Sequence, residues 1–559
     1  MTQSPLDGSG RHIGAVETDL INSFTKGRLT RRAFVTRGSM LGLSAAFMGT
    51  ILAACGDDKK GAKGTTGTAG SAGAIKQGGT LRIAAQKPAG PLDPVAMADL
   101  GTYTPVVTCF EYLVSANGGD LTPMLAESWK ANADSSVWTF SLRKGVKWHD
   151  GKPFNADDVV ATMDRLAGSN LKAYIVAGAT KKIDDSTVEI TLNNPDGGFP
   201  QAVGAYNPQS VITPKDYVLG TTLDKSPNGT GAFKLTKYDP AIGATFEAFA
   251  DYWGGKPYLD KLEYIFSDDI ATQISGLQGG AADALVQFSV VGGDALLSGA
   301  NPDIVVETIR GSAHRQLWMN TREGDFKDVR VRQAVSLGLD RQALIDNILK
   351  GKGDIGNDHP ISPIYPFFDA SQAQRTRDVA KAKQLLKDAG KEGLKTTMYF
   401  PKLQEIPQLA QLIQSQLKDI GMDITLAQEA TVDGEEWCKV YDSKTEPAGC
   451  DGGKDFGIVD YGPRGTPDVY LLKAYATGEW NSAHYISEPF RTAVKAYQAA
   501  KDLDGQKAAI KDIQKIANED VPYAIPYFYN TLYAHNKNVT GIVVTGLGHF
   551  YCSKAGFAA

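Results

Sequence analysis

Cys55 fixes how this chain of 559 residues must be divided. It closes Leu52-Ala53-Ala54-Cys55, behind an uncharged run from Gly38 to Ala54 and the basic stretch Thr30-Arg31-Arg32-Ala33-Phe34-Val35-Thr36. The run holds 17 residues, among them three Gly, three Ser/Thr and four Ala. That is shorter and less apolar than the roughly 20 apolar residues of a membrane span. Twin arginines, a short apolar stretch and a small-residue site ending in cysteine together read as an export signal, residues 1–54, with lipid attached at Cys55. The pair Arg31 and Arg32 implies export in an already folded state.

Residues 1–54 carry six Lys/Arg against three Asp/Glu, so the net charge of −5 for the whole chain becomes −8 for the 505 residues that follow. That length suits two or three domains of about 100–200 residues. An acidic body without a basic block argues against nucleic acid, whose phosphates require clustered Lys and Arg. Beyond Ala54 no uncharged apolar stretch approaches a span. Of the remaining cysteines, Cys438 and Cys450 flank the polar segment from Tyr441 to Gly449 and form the candidate disulfide, while Cys109 and Cys552 are the other two. No CxxC and no His/Cys ligand spacing points to zinc, and no cofactor is implied.

Residues 56–77 are almost entirely Gly, Ala, Thr, Ser, Lys and Asp, a composition that cannot bury a core and reads as a flexible tether with an r.m.s. reach of about 25 Å. From Gly79 the texture changes. Leu81 and Ile83, then Trp138, Phe140 and Leu142, then Val188, Ile190 and Leu192 alternate with polar residues, the period of a strand with one buried face. Val379, Ala382, Leu385, Leu386 and Ala389 form a helical stripe opened by Asp378 and closed by Gly390. Leu409, Leu412, Ile413, Leu417 and Ile420 form another, stopped by Gly421 and followed by the alternating Met422-Ile424-Leu426. Phe490, Val494 and Tyr497, then Ile510, Ile513 and Ile516, repeat the helical spacing. Mixed strands and helices predict an α/β chain. Asp157 or Asp158 is placed to cap a helix carrying Val159 and Val160.

The wording of the body is also recognisable. Leu121-Thr-Pro-Met-Leu-Ala-Glu-Ser-Trp129, Trp138-Thr-Phe-Ser-Leu-Arg-Lys-Gly-Val-Lys-Trp-His-Asp-Gly151 and Pro153-Phe-Asn-Ala-Asp-Asp-Val159 resemble the signature of the family 5 extracellular solute-binding proteins, the peptide- and nickel-type receptors of ABC importers. Asn228-Gly-Thr-Gly-Ala-Phe-Lys234, Asp251-Tyr-Trp-Gly-Gly-Lys-Pro-Tyr-Leu-Asp260, Leu277-Gln-Gly-Gly-Ala-Ala-Asp283, Asp328-Val-Arg-Val-Arg-Gln-Ala-Val335 and Leu339-Asp-Arg-Gln-Ala-Leu-Ile345 follow in the family's order, so the resemblance spans residues 78–545. Trp129, Trp138, Phe140 and Trp148 within these blocks read as scaffold, since aromatic residues at strand spacing are ordinarily core.

The resemblance implies a two-lobed, periplasmic-binding-protein-like (Venus-flytrap) fold with an extra subdomain in the first lobe. Residues 55–77 are then the lipidated cysteine and tether. Lobe I runs over 78–311 plus 528–559, with the subdomain at about 110–224, and lobe II over 312–527. Ligand would be enclosed between lobes that close about a hinge. In peptide-binding relatives an aspartate in Asp-Tyr-x-x-Pro-Asp pairs with the peptide's α-ammonium. Val459-Asp460-Tyr461-Gly-Pro-Arg-Gly-Thr-Pro467-Asp468 is similar to that segment, although Gly462 to Thr466 make the spacing longer. Asp460 is the expected ammonium partner through a charge-assisted hydrogen bond, against the alternative that it caps a turn. Tyr461, Trp318, Asn320, Phe288 and Trp437 complete the expected ligand contacts, with Arg464 and Tyr103 as weaker candidates.

The implied function is a substrate-binding lipoprotein that captures short peptides and delivers them to a permease served by a separate ATPase subunit. It would work as a monomer, tied by its lipid to the extracytoplasmic face of the cell membrane. A nickel chelate, haem or an oligosaccharide is the alternative cargo; His149, His314, His359, His484, His535 and His549 are scattered without metal-ligand spacing. An exported hydrolase is the further alternative. No Gly-x-Ser-x-Gly, His-Glu-x-x-His or Gly-x-x-x-x-Gly-Lys-Ser/Thr motif supports it, and an enzyme is not expected.

Overall fold

The computed structural model describes residues 75–559 apart from 98, 118–119, 170, 173, 430–453, 477–479 and 502. The export leader with Arg31 and Arg32, the anchor Cys55, the tether as far as residue 74, and Trp437, Cys438 and Cys450 therefore lie outside the described residues. Cys109 and Cys552 are buried free thiols. No helix among the described residues is long and apolar enough to cross a membrane.

Alternation of apolar and polar residues produces strands, and pairing between distant strands produces two large mixed sheets. The first runs Ile304–Ile309, Thr531–Asn536, Ala284–Phe288, Thr80–Ala85, Lys261–Phe266, Gly243–Ala248 and Phe233–Asp239 across its width. At its centre Thr80–Ala85 pairs parallel with both Lys261–Phe266 and Ala284–Phe288, and Leu81 and Ile83 are fully buried. The second large sheet is ordered Gly353–Ile355, Tyr527–Tyr529, His314–Met319, Phe456–Tyr461, Lys395–Pro401 and Asp423–Glu429, with the short Tyr523–Ala524 also paired to His314–Met319. A separate four-stranded sheet, Ala126–Ala131, Val137–Leu142, Thr187–Thr191 and Lys181–Asp184, carries the expected alternating residues; Phe140, Val188 and Ile190 are fully buried.

This is the two-lobed architecture, and the chain passes between its large sheets twice. Ile304–Ile309 ends in the first sheet and His314–Met319 begins in the second; Tyr527–Tyr529 lies in the second and Thr531–Asn536 in the first. Short crossings of this kind confine relative movement of two rigid bodies to a few backbone torsions.

Local sequence explains the helices that brace these sheets. Ile406–Lys418 buries Leu409, Ala410, Ile413 and Leu417 on one stripe, each large aliphatic contributing about 1.5–3 kcal/mol by leaving water. Pro407 sits in its first turn, where a missing N–H costs nothing. Because Lys395–Pro401 and Asp423–Glu429 pair in parallel, the chain must cross over between them, and this helix is the crossover. Val379–Asp388 starts at Asp378, whose side chain accepts from the Lys381 amide. Ala156–Ala167 differs from expectation: its N-cap is Asn155, and Asp158, three residues on, reaches back to the Asn155 amide. The carboxylate anticipated as a cap is the reciprocal member of a capping box.

Candidate functional site

Asp460 lies near the end of the strand Phe456–Tyr461, directly opposite Arg315 in the antiparallel partner His314–Met319. Side chains directly opposite across such a ladder share one face, so the register itself brings this aspartate and arginine together. The Arg315 guanidinium donates from Nη1 to Asp460 Oδ1. It also forms a bidentate pair with Glu405, Nε to Oε1 at 2.8 Å and Nη2 to Oε2 at 2.9 Å, and donates to Gln404 Oε1 at 2.7 Å. Tyr529 donates its hydroxyl to Asp460 Oδ1 at 3.0 Å, and its ring lies 4.3 Å beneath the guanidinium carbon. Tyr527 donates to Glu405 Oε1 at 3.2 Å.

Arg315 is wholly buried, whereas the Asp460 side chain keeps 28 % of its surface exposed. Burial opposes the guanidinium charge, but Tyr529, Glu405 and Tyr527 together raise the Arg315 pKa above its ordinary value. One guanidinium thus serves two carboxylates. When both are ionised the cluster keeps an excess negative charge, and its exposed part is Asp460. That is an electrostatic seat for a cation.

Two cavities flank this cluster. The larger, about 590 Å³, has Tyr103, Tyr174, Asp196, Gln201 and Tyr206 on the first-lobe side and Pro463, Arg464, Gly465, Thr466 and Asp468 on the other. The smaller, about 220 Å³, is lined by Gln287, Phe288 and Ser289 opposite Gln404, Glu405 and Tyr529. Gln86, Leu100 and Gln287 line both, so the two are parts of one cleft. Asp460 lines neither cavity. Its partner Tyr529 lines the smaller one, and Pro463, three residues along, opens the larger.

The segment Gly462 to Thr466, which makes the spacing after Tyr461 long, is a wall of the cleft. Tyr470 donates to the Gly462 carbonyl oxygen at 2.6 Å, and Tyr365 donates to that of Arg464 at 2.8 Å. Ser312 Oγ donates to the Arg464 carbonyl oxygen at 2.6 Å and accepts from the Arg464 amide at 2.8 Å. So anchored, the segment brings Gly465 against the ring of Tyr206 from the first lobe so closely that no Cβ fits there.

The structure brings together only part of the expected ligand set. Phe288 is buried in the core and lines the smaller cavity with Tyr529, next to Asp460. Tyr461 follows Asp460 in the strand and therefore points to the other face of the sheet. There its ring stacks on His314, at 5.5 Å between centroids and 8° between planes, and packs against Tyr470 and Trp480. Trp318 lies on that face too, fully buried beside Tyr461, Tyr470 and Tyr523, with its ring against Gly457 where no Cβ fits. Asn320 is almost buried, donates to Asp455 at 3.2 Å and accepts from the amides of Arg322 and Glu323. These three pack within the second lobe and line neither of the two cavities. Tyr103 and Arg464, the weaker candidates, do line it.

Arg315, Glu405, Tyr529, Asp196 and Asp468 are functional candidates that sequence reasoning did not single out. Pro467-Asp468 was visible at the end of the quoted segment, but nothing local told its orientation. Arg315 and Asp460 are 145 residues apart, and only strand register joins them.

Comparison with known proteins adds a lineage. Residues 120–482 match the family model described as bacterial extracellular solute-binding proteins, family 5 middle. The dipeptide-binding protein of Escherichia coli strain K12 is 28 % identical over 473 residues, covering 77 % of this chain and 85 % of that protein. Heme-binding protein A of Haemophilus influenzae is 26 % identical over 468 residues, covering 77 % and 83 %. The solved periplasmic binding protein DppA of Helicobacter pylori, in complex with the peptide STSA, superposes with a TM-score of 0.66 at 24 % identity, over 87 % of this chain and 99 % of that one.

Proposed function

The chain belongs to the family 5 bacterial extracellular solute-binding proteins, and from that membership we propose that it is the substrate-binding lipoprotein of an ABC importer, taking short peptides into the cleft between its lobes and passing them to a membrane permease. The observation that carries the peptide reading is the Arg315–Asp460–Glu405 cluster. Its two carboxylates share one guanidinium, and the partly exposed one, Asp460, is held by Arg315 and Tyr529. A peptide's α-ammonium supplies the missing charge and the hydrogen-bond donors. Relatives named for dipeptides and a neighbour solved with a peptide support the same cargo. Capture, rather than turnover, is the role: ligand bridges the lobes, and the two crossings at residues 310–313 and at Asn530 serve as the hinge.

The direct test is thermal melting of residues 56–559 with short peptides, their N-acetylated forms, nickel salts, haem and oligosaccharides. A ligand at about 100 times its dissociation constant adds roughly 2.7 kcal/mol of stability. Stabilisation by free-amine peptides that acetylation abolishes is the expected result; stabilisation by metal, haem or sugar alone discards peptide as the cargo. Asp460→Ala is expected to weaken peptide by about 2–5 kcal/mol, the scale for losing one member of a buried charge pair. Because Arg315 keeps Glu405 as its partner in that variant, the fold should survive. Equal affinity for variant and parent by calorimetry would remove Asp460 from the site.

The membrane half of the proposal rests on sequence. Arg31 and Arg32 direct export of the folded chain, and Cys55 carries the lipid on the extracytoplasmic face; Cys438 and Cys450 remain the candidate disulfide. Cys55→Ala should move the protein from the membrane to the soluble fraction; unchanged fractionation contradicts the anchor.

A further inference from the structure

Two glycines stand where the lobes meet. Gly465 lies between Tyr461 and Tyr470, both in the apolar core that holds Trp318 of the second sheet. A Cβ there would overlap Tyr206, which packs against the core that holds Leu81 of the first sheet. Gly197 follows the four-stranded sheet, just before Phe199 of that first core. A Cβ there would overlap the backbone carbonyl oxygen of Ala500. Ala500 follows the helix Glu488–Gln498, whose Phe490, Val494 and Tyr497 belong to the core of the second lobe. Gly198, Tyr206 and Gly465 all line the larger cavity, so both contacts border the cleft.

Neither glycine is needed by its own lobe. Both lie outside the left-handed region that favours glycine. Among the described glycines whose Cβ would overlap a neighbour, these are the two whose nearest atoms all belong to the opposite lobe. The surfaces they meet cannot give way cheaply. One is a backbone carbonyl, and the other includes Cβ and Cγ at the root of a tyrosine side chain, not its mobile end. On either side of Tyr206, the Ala205 amide donates to the Val114 carbonyl oxygen at 2.8 Å and the Asn207 amide to that of Gly204 at 3.0 Å. Around Gly197, the Gly198 amide donates to Asp196 Oδ1 at 2.7 Å and the Trp138 indole N–H to the Asp196 carbonyl oxygen at 3.0 Å. Close-packed walls transmit strain instead of absorbing it, so a side chain at either position is relieved by parting the lobes.

We propose that Gly197 and Gly465 are positioning residues for ligand capture: bare backbone at these two points lets the lobes approach far enough to enclose a solute, and a side chain at either props the cleft open. Apparent affinity scales with the fraction of molecules able to close. Each substitution therefore weakens binding through the approach of two rigid bodies and takes no polar group out of the cleft. The role rests on capture between the lobes, whichever solute is captured.

Calorimetry with trialanine on Gly197→Ala and Gly465→Ala, each shown folded by its melting curve, tests it. Each variant is expected to bind at least about tenfold more weakly than the parent, the effect of a tenfold smaller closed population. Gly465→Ala is then repeated together with Tyr206→Ala, where the added methyl has nothing to strike, and its effect should vanish. Parental affinity in a variant overturns the role of that glycine and leaves the peptide reading standing. An effect of Gly465→Ala that is as large with Tyr206→Ala as without it overturns the contact between the two. If trialanine does not bind the parent, small-angle X-ray scattering of the ligand-free proteins decides: a larger radius of gyration in both variants than in the parent supports the proposal, and equal radii overturn it. The peptide reading is decided separately, by the melting panel above.

Discussion

Asp358→Ala is expected to destabilise the protein by about 3–5 kcal/mol, the cost of stranding buried charges. Asp358 is fully buried. It accepts from the Arg341 guanidinium, from Ser336 Oγ and from the Ile525 amide at 3.1 Å, and its Oδ2 lies 2.9 Å from Arg375 Nε. The side chains of Arg341 and Arg375 are 2 % and 14 % exposed, so both would lose their counter-charge where water cannot replace it. Burial by itself would raise the Asp358 pKa, but Arg341, Arg375 and Ser336 outweigh it and hold the carboxyl below its ordinary value. The stability it contributes is therefore present above the unfolded carboxylate range and is lost as pH falls through the lowered pKa. Asp358 also has φ +63°, which Asp and Asn tolerate better than Ala. Asp358→Asn should accordingly lose less than Asp358→Ala. Denaturant unfolding measures both, and a change below about 1 kcal/mol for Asp358→Ala would refute the account.

The second large effect is expected at the cleft. Arg315→Met should cost about 3–5 kcal/mol, because it leaves Glu405, 4 % exposed, and Asp460 as neighbouring carboxylates with no cation between them. The loss measures the stranded charges, not the worth of the ion pairs. Adding Glu405→Gln to Arg315→Met should therefore restore stability, and the double-mutant cycle should show coupling of 0.5–3 kcal/mol, the usual range for contacting residues. Additive effects would show that the two side chains do not interact. Arg315→Met tests the carboxylate cluster through stability, whereas Asp460→Ala tests it through ligand affinity, so the two experiments can fail separately.

Much of the scaffold is written locally. Leu409, Ile413 and Leu417 lie on one stripe of any helix they occupy, and the structure buries all three. Asp378 precedes a helical stripe and caps it. Leu81 and Ile83 are buried on a central strand for the same reason: periodicity of 3.6 or 2 is a property of neighbours in sequence. Local choice can still be resolved differently by a nearby residue. Asn155 takes the cap for which Asp157 or Asp158 was expected, and Asp158 becomes the far arm of the box.

Of the residues expected from the sequence, Phe288, Tyr103 and Arg464 line the cleft, while Asp460 sits behind Tyr529 and lines neither cavity. Tyr461 and Trp318 are aromatic residues in the right segments, yet strand alternation turns both away from the Asp460 face and into the second lobe's core. Asn320 is taken up by a local turn. Phe288 lines the cleft, though as a core residue at its edge.

Sequence by itself determined the export signal and anchor as expectations, the α/β class, the individual strands and helices, and the family, because each is encoded by spacing within a short stretch or by blocks in a fixed order. Only the tertiary structure decided what those elements meet. Register placed Arg315 across from Asp460; the folding of one lobe against the other set Gly465 on Tyr206 and placed Asp196 and Asp468 in one cavity. Electrostatic balance in a cleft depends on distance and burial, and neither quantity exists until chain segments hundreds of residues apart are packed together.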